Sequence, residues 1–295
     1  MLFNDANLQN TFERDGFVLL DDFFSVDDIA TLRSMLDGFQ NHTEAYLNGA
    51  SGTINDIDKG LFYTRHFQDL ELEESIRLEL SVACNRALSR FLNIEYKNIA
   101  ALGMFKPPNS PQSILDMHVH HSNLAPGSEL PGLSLFVPLD DLDDALGPLA
   151  LIKGSHELWK DDLSYSLTYI KETYPQLYPL MQSCLTNVCP SAGQAILFNQ
   201  FTIHKGLANT HRTSGRLAIT AEFIPEALEC VLFLPKYDER GHLASLHGRQ
   251  VRKLPFEFSR CHRWVPEHLG EEVHTIDPYR VRTISEDEFR HCCRL

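Results

Sequence analysis

From residue 98 to residue 225 the chain is punctuated into short apolar runs: NIAALGMF, LSLFVPL, LALI, QAILF and RLAITAEFIP. Each is set off from the next by Pro, Gly, Asn or Asp. Runs this short, apolar or alternating and bounded by turn residues, have the length and flanks of strands and not of helices. Helical periodicity is strongest in the part before them. Helices first and strands afterwards imply an antiparallel sheet or barrel with helices packed on its outside, so the fold class is mainly β with flanking helices.

The leading part supports that division. FVLL in FERDGFVLLDDFF reads as a strand ending at a turn. Ser25 followed by Asp28 is a capping-box-like helix start, with Phe24 and Ile29 placed for a hydrophobic staple. The helix Val26 to Phe39 puts Ile29, Leu32, Met35 and Leu36 on one stripe, and a Gly, Ser and Asn-rich stretch from Asn48 to Asn55 breaks regular structure. A second helix, Asp69 to Leu92, presents Leu72, Ile76, Leu80, Ala83, Ala87 and Phe91 on one face, a packing stripe. Between Ser155 and Gly193 lies a Tyr-rich, part-helical excursion, which reads equally as a lid over a pocket and as a packing insertion.

Composition narrows the functional classes. A net charge of −14 opposes binding to a phosphate backbone, so nucleic acid is not an expected partner. Arg240, Arg249, Arg252, Lys253, Arg260 and Arg263 cluster near the C-terminus beside Glu257 and read as a solvated face. Seven cysteines without a CxxC pair argue against both a disulfide framework and a structural zinc site, and the terminal CCRL lacks the basic stem of a prenylation box. No run is long and apolar enough to span a membrane, and MLFNDANLQN has no signal-peptide pattern. The expectation is a cytoplasmic protein folded as one domain over residues 1–295, with no membrane partner.

The chemistry is concentrated in histidines. DMHVHHS carries His118 and His120, which face the same side if they share a strand. AGQAILFNQFTIHKGLANTHRTSGR places His204 on a probable strand and Arg216 twelve residues on. A two-His strand and a distant third residue compose a three-ligand face with open positions, the pattern of non-haem iron oxygenases. That pattern asks for Asp or Glu as one of the three, and position 120 holds His. His121 and His211 read as solvent-facing or supporting residues, and His156 as structural.

Four features recur in order: the HxH strand, LDDLDDALGPLALIKGSH, Gly193 before QAILF, and His204 with Arg216. In this order, together with DGFVLLDDFFSVDDIATLR, the chain resembles the phytanoyl-CoA dioxygenase-like family of Fe(II)/2-oxoglutarate-dependent oxygenases. The resemblance covers residues 11–225 and leaves 226–295 as a C-terminal extension. Lys153 stands where the family's turn has proline, and Gln194 where an Asp often follows the glycine. The resemblance implies a double-stranded β-helix, the cupin-like jelly roll. It also implies Fe(II) on His118, His120 and His204, and 2-oxoglutarate gripped at its far carboxylate by Arg216, whose planar guanidinium can form two parallel bonds. Asn209 and Phe136 match further cosubstrate positions, Asn209 equally as a loop-shaping residue. The implied activity is oxidation of a small molecule with O2, often hydroxylation.

His at position 120 keeps several readings open. His120 can be the third ligand. A register shifted by two makes His120 the first ligand and puts Ser122 at the acid position, an arrangement that admits halide as in related halogenases. Asp116 can supply the carboxylate from the other side. The jelly roll can also be a non-catalytic binding protein, or a three-His cupin-type dioxygenase that does not use 2-oxoglutarate, for which Arg216 would have no purpose.

Overall fold

A computed structural model of the chain describes residues 1–47, 60–64, 70–120, 123–159, 170–251 and 269–295. Three helices precede most of the sheet. α1 (Ala6–Asp15) is capped by Asp5, whose side chain accepts from the amides of Asn7 and Leu8, and it ends on a left-handed Gly16. This helix falls in the short polar lead before FVLL, where only Leu8 and Phe12 are large and apolar. β1 (Phe17–Leu20) follows, then α2 (Val26–Leu47), opened by a reciprocal box: the Asp28 amide donates to Ser25 Oγ and the Ser25 amide to Asp28 Oδ2. α2 runs well past the expected end at Phe39, because Phe39 and Thr43 continue its buried stripe. After β2 (Phe62–Tyr63) comes α3 (Leu70–Leu88), on which Ile76, Leu80 and Ala87 are buried as expected. Leu72, at the start of that stripe, is exposed, while Glu73 beside it in the same turn is buried.

The remaining elements are mostly strands: β3 (Tyr96–Lys106), β4 (Leu115–His118), β5 (Leu133–Pro138), β6 (Leu149–Leu151), β7 (Thr186–Val188), β8 (Ala195–Asn199), β9 (His204–Gly206) and β10 (Arg216–Pro225). They form two sheets, a six-stranded one in the order β1-β8-β5-β10-β3-β2 and a four-stranded one in the order β4-β9-β6-β7. All pairings are antiparallel. Period-two alternation then divides each strand of the larger sheet between two cores. Leu133, Leu135, Leu197, Leu217 and Ile219 pack under α2 and α3, while Phe136, Ile196, Phe198 and Ala218 turn inward to meet Leu149 and Leu151 of the smaller sheet. This is the expected jelly-roll sandwich with helices on one outer face. At Gly103 a Cβ would sit 2.8 Å from Leu36 Cδ2, so the absence of a side chain there lets α2 lie close on the sheet.

The outer face of the smaller sheet is covered as well. Met117 and Ile203 pack with Leu158 and Trp159 of a 3-10 turn (Ser155–Trp159), with α4 (Ile170–Thr173), α5 (Tyr178–Ser183) and the C-terminal α6 (Glu286–Cys292). The described part of the Tyr-rich excursion is therefore packing, and residues 160–169 lie outside the described residues. Beyond residue 225 the sequence showed no pattern, yet β11 (Val231–Tyr237), β12 (Leu243–Val251) and β13 (Leu269–Ile276) form a third, three-stranded sheet. Cys230 and Val251 of this part pack against Ile99, Leu124 and Ile224. Arg252, Lys253, Glu257, Arg260 and Arg263 lie outside the described residues, as does the loop Asn48 to Asn55. No helix among the described residues is long and apolar enough to cross a membrane.

Candidate active site

His118 closes β4 and His204 opens β9, and the antiparallel register sets them directly opposite. Their ring centroids are 4.1 Å apart. His118 Nδ1 lies 2.7 Å from the carbonyl of Asp116, and His204 Nδ1 lies 2.9 Å from that of Thr202. A carbonyl only accepts, so Nδ1 carries the hydrogen in both rings and Nε2 keeps its lone pair for a metal. His120 sits beyond the end of β4, not within it as the HxH spacing suggested, with its amide donating to Gln200 O. It still reaches the same point: the three histidines each offer a ligand atom, all within 4.8 Å of one another. Burial first, then crowding by His118 and His120, holds the His204 pKa far below its ordinary range. The imidazole is thereby kept neutral, the form that binds metal.

The other readings of the ligand set fare differently. Asp116 is turned away, because its Oδ1 accepts from Tyr178 Oη at 2.7 Å and from Lys205 Nζ at 3.1 Å on the far side of the sheet. It does not belong to the three-histidine cluster. Ser122 and His121 lie outside the described residues. His211 caps its own loop, its Nδ1 accepting from the Ser214 amide at 3.0 Å, and His156 is buried against Gly16.

The opposite end of the same cavity is cationic. Arg216 opens β10, only 1% exposed, with its guanidinium 5.2 Å above the centre of the Phe136 ring. Nη1 donates to the carbonyl of Gly147 at 2.9 Å. Gly147 adopts φ +71, and a Cβ there would meet Leu207 O at 2.6 Å, so this turn requires glycine. Arg216 Nε and Nη2 are buried with no hydrogen-bond partner among the described residues. Leaving buried donors unpaired costs about 1–3 kcal/mol each, more for a charged group. Burial lowers the Arg216 pKa from 12.5 to about 10, with Tyr63 and Asp140 opposing, and the group stays cationic at neutral pH. Directly across the ladder lies Lys106, 1% exposed, whose ammonium donates to Leu207 O. A buried guanidinium with open donors beside a second buried basic group fits a carboxylate-bearing ligand.

Asn209 is placed behind this end and is not among the residues lining the cavity. Its Nδ2 faces the carbonyls of Lys106, Pro107 and Ser214, and its Oδ1 accepts from the His211 amide. All of its side chain is thus used in shaping the loop, and the expected cosubstrate contact gives way to the loop-shaping role.

Between the two ends runs a cavity of about 320 Å³ walled by Leu102, Met104, Phe136 and Phe198. Glu222 and Asn123 line it as well. Asn123 is buried, and its Oδ1 has no partner among the described residues. Lys106, Asn123, Ser134 and Glu222 were not singled out from the sequence. For Glu222 a signal existed: it stands six residues after Arg216 on one strand, so alternation puts both on the same face. Lys106 ends the apolar run that follows Asn98 on its strand, a basic residue that a buried position must explain.

The sequence matches the profile of phytanoyl-CoA dioxygenase (PhyH) over residues 12–216. No curated protein matches the chain by sequence. Among solved structures, the fold is similar to SnoK, a non-haem α-ketoglutarate-dependent carbocyclase from nogalamycin biosynthesis, with a TM-score of 0.53 at 15% identity over 77% of this chain and 86% of that one. AviO1 from Streptomyces viridochromogenes Tue57 gives 0.53 at 18% identity, covering 76% of this chain and 96% of that one. EctD from S. alaskensis in its apo form gives 0.51 at 20% identity, covering 77% and 79%. At these identities the likeness speaks for the fold, while the profile match spans more than half of the sequence. The chain belongs to the phytanoyl-CoA dioxygenase family of Fe(II)/2-oxoglutarate-dependent oxygenases.

Proposed function

We propose that this protein oxidises a small molecule with O2, holding Fe(II) on His118, His120 and His204 and 2-oxoglutarate at Arg216. The observation that carries the proposal is the pair of buried, unpartnered Arg216 donors in the same cavity as three converging imidazoles. Bound there, iron and 2-oxoglutarate supply oxidation of a C–H bond, with 2-oxoglutarate converted to succinate and carbon dioxide. The protein's part is to hold and exclude. His118 and His204 are pre-oriented by backbone carbonyls, so their Nε2 atoms need no rearrangement to bind metal. Arg216 and Lys106 hold the distal carboxylate of 2-oxoglutarate, and Phe136 supports the guanidinium from below. Leu102, Met104 and Phe198 keep water from the space that remains. Asn123 Oδ1 is left to accept one hydrogen bond from a substrate that is otherwise largely apolar.

A three-histidine dioxygenase without 2-oxoglutarate would leave the Arg216 and Lys106 charges buried for no ligand, and so accounts for less of the site. Anaerobic titration of the apoprotein with Fe(II) and 2-oxoglutarate tests the proposal through the visible charge-transfer band of the chelate. The wild type should develop the band. Arg216→Ala should need at least 30-fold more 2-oxoglutarate, since truncating one partner of a buried charge pair costs about 2–5 kcal/mol. A wild type without the band, or an Arg216→Ala protein with unchanged 2-oxoglutarate affinity, would refute it.

A further inference from the structure

Position 120 has lost the carboxylate that an HxD site would carry, but a carboxylate stands directly behind it. His120 Nδ1 lies 2.7 Å from Glu222 Oε1. The same nitrogen is 2.7 Å from Ser134 Oγ, which donates to Glu222 Oε2 at 2.8 Å. Ser134 and Glu222 are cross-strand partners on β5 and β10, on the face that lines the cavity. Ser134 is fully buried.

The backbone that carries Glu222 is fixed by a separate device. The pairing of β10 with β3 shifts register at Glu222 and Phe223, leaving Ile99 as an extra residue on β3. Asn98 Nδ2 donates to the carbonyls of Ala100, at 2.9 Å, and Glu222, at 3.1 Å, and Ser81 Oγ donates to Asn98 Oδ1 at 2.8 Å. The bulge's own carbonyls are satisfied, so the strand holds its shape without help from the Glu222 side chain.

We infer that Glu222, with Ser134, is the positioning residue of a three-histidine metal site: it orients His120 and supplies from behind the ring the negative charge that a directly bound carboxylate would give. Ser134 Oγ spends its one hydrogen on Glu222 Oε2 and can only accept from Nδ1, so that nitrogen carries the hydrogen and His120 presents Nε2 to the cavity. A carboxylate behind a ligating imidazole both fixes the tautomer and makes the ligand more basic. The contrast with the other two histidines is informative. His118 and His204 are oriented by neutral backbone carbonyls, and His120, which replaces an acid, is the one backed by an acid. Substitution at position 120 therefore moves the anion one bond network outward and keeps it in the site. The inference rests on the oxygenase reading above, because it needs a metal at the three imidazoles.

The test is anaerobic titration of the apoprotein with Co(II), read by calorimetry and by the visible ligand-field bands, alongside melting of the metal-free proteins. Glu222→Ala should weaken Co(II) binding by about 10–100-fold, the range for removing an outer partner of a ligating histidine. Glu222→Gln keeps an acceptor for Nδ1 and loses only the charge, so it should fall between Glu222→Ala and wild type. Ser134→Ala should have the smallest effect. In a Zn(II)-loaded sample, nitrogen NMR should show His120 protonated at Nδ1 in the wild type, with that signal lost or exchange-broadened in Glu222→Ala. Unchanged Co(II) affinity and bands in both Glu222 variants would overturn the inference while leaving the oxygenase reading intact. If His120→Ala kept wild-type affinity while Glu222→Ala lost it, Glu222 would itself be the ligand and the inference would be wrong. A wild type that binds no Co(II) would overturn both. Should Glu222→Ala fail to fold, the near-isosteric Glu222→Gln decides the matter alone.

Discussion

The two ends of the cavity manage charge in opposite ways. At the Arg216 end the protein buries two basic groups side by side, Arg216 and Lys106, with burial and Arg216 both lowering the Lys106 pKa, and leaves Arg216 Nε and Nη2 without acceptors among the described residues. At the histidine end His118 and His204 face backbone carbonyls, and His120 faces Glu222, so this end carries its own carboxylate. One end is complete as a hydrogen-bonded network before anything binds, and the other is an incomplete pair awaiting an anion. The comparison teaches where each ligand's binding energy comes from. On the proposed function, metal binding would draw on pre-oriented lone pairs, and 2-oxoglutarate binding on relief of an electrostatic penalty built into the fold.

The comparison breaks most visibly if the two ends are one unit. His204→Ala removes a buried ligand lying opposite His118 and should abolish Co(II) binding, a loss larger than any outer-partner change. It should nonetheless leave weak 2-oxoglutarate binding at Arg216, seen as a rise in apoprotein melting temperature with added cosubstrate. If 2-oxoglutarate no longer protects the His204→Ala protein, the two ends are not separable.

A smaller and sharper effect concerns position 120. His120→Asp creates the usual acid, but places a second carboxylate near Glu222, and two close carboxylates disfavour joint ionisation. Adding Glu222→Gln should therefore improve metal affinity in the His120→Asp background, where the same change weakens it in the wild type. The expected coupling is about 0.5–3 kcal/mol with reversed sign, measured by calorimetry on the four proteins of the cycle. Equal effects of Glu222→Gln in both backgrounds would mean the two positions do not share one anion.

What the sequence conveyed follows from where the physics is local. Strand alternation and helical stripes made the sandwich and its helices legible, and collinear motifs made His118, His204, Arg216 and Phe136 legible. α1 was hidden because Leu8 and Phe12 are its only large apolar residues, too few to declare a stripe, and the Asp5 cap and docking of Phe12 complete it. The third sheet was hidden because β12 and β13 mix polar and apolar residues, as strands half open to solvent do. Alternation from Arg216 could put Glu222 on the cavity face, but its pairing with Ser134 needed the register of β5 against β10, and Asn123 the placing of the segment after β4, which join residues far apart in sequence. No short motif holds that information. Asp116 shows the converse error: it shared the expected face of His118, yet the register of β4 against β9 shifts between Leu115 and His118 and sends its side chain to Tyr178 and Lys205.

The subtlest difference between the ends is in their cost to the apoprotein. Lys106 is pushed well below its usual 10.5 by burial first and then by Arg216. A base whose folded pKa is depressed takes up a proton less readily when folded. Stability is then full above the unfolded value of 10.5 and falls as pH drops through the folded value. Lys106→Met removes that penalty at similar volume. Near neutral pH the variant's apoprotein should be as stable as wild type or more so, by up to about 4 kcal/mol, with each kcal/mol raising the melting temperature by roughly 2–4 °C. The difference should shrink as pH rises toward 10.5, and taking it between the two proteins cancels the titration of Cys84 and Tyr96, which are shifted upward by burial. Saturating 2-oxoglutarate should reverse the order, because only wild-type Lys106 gains the bound carboxylate as a partner. A Lys106→Met protein that is less stable than wild type at every pH would show that Lys106 serves packing and not the anion. The contrast between an open cationic end and a closed histidine end would then rest on Arg216 alone.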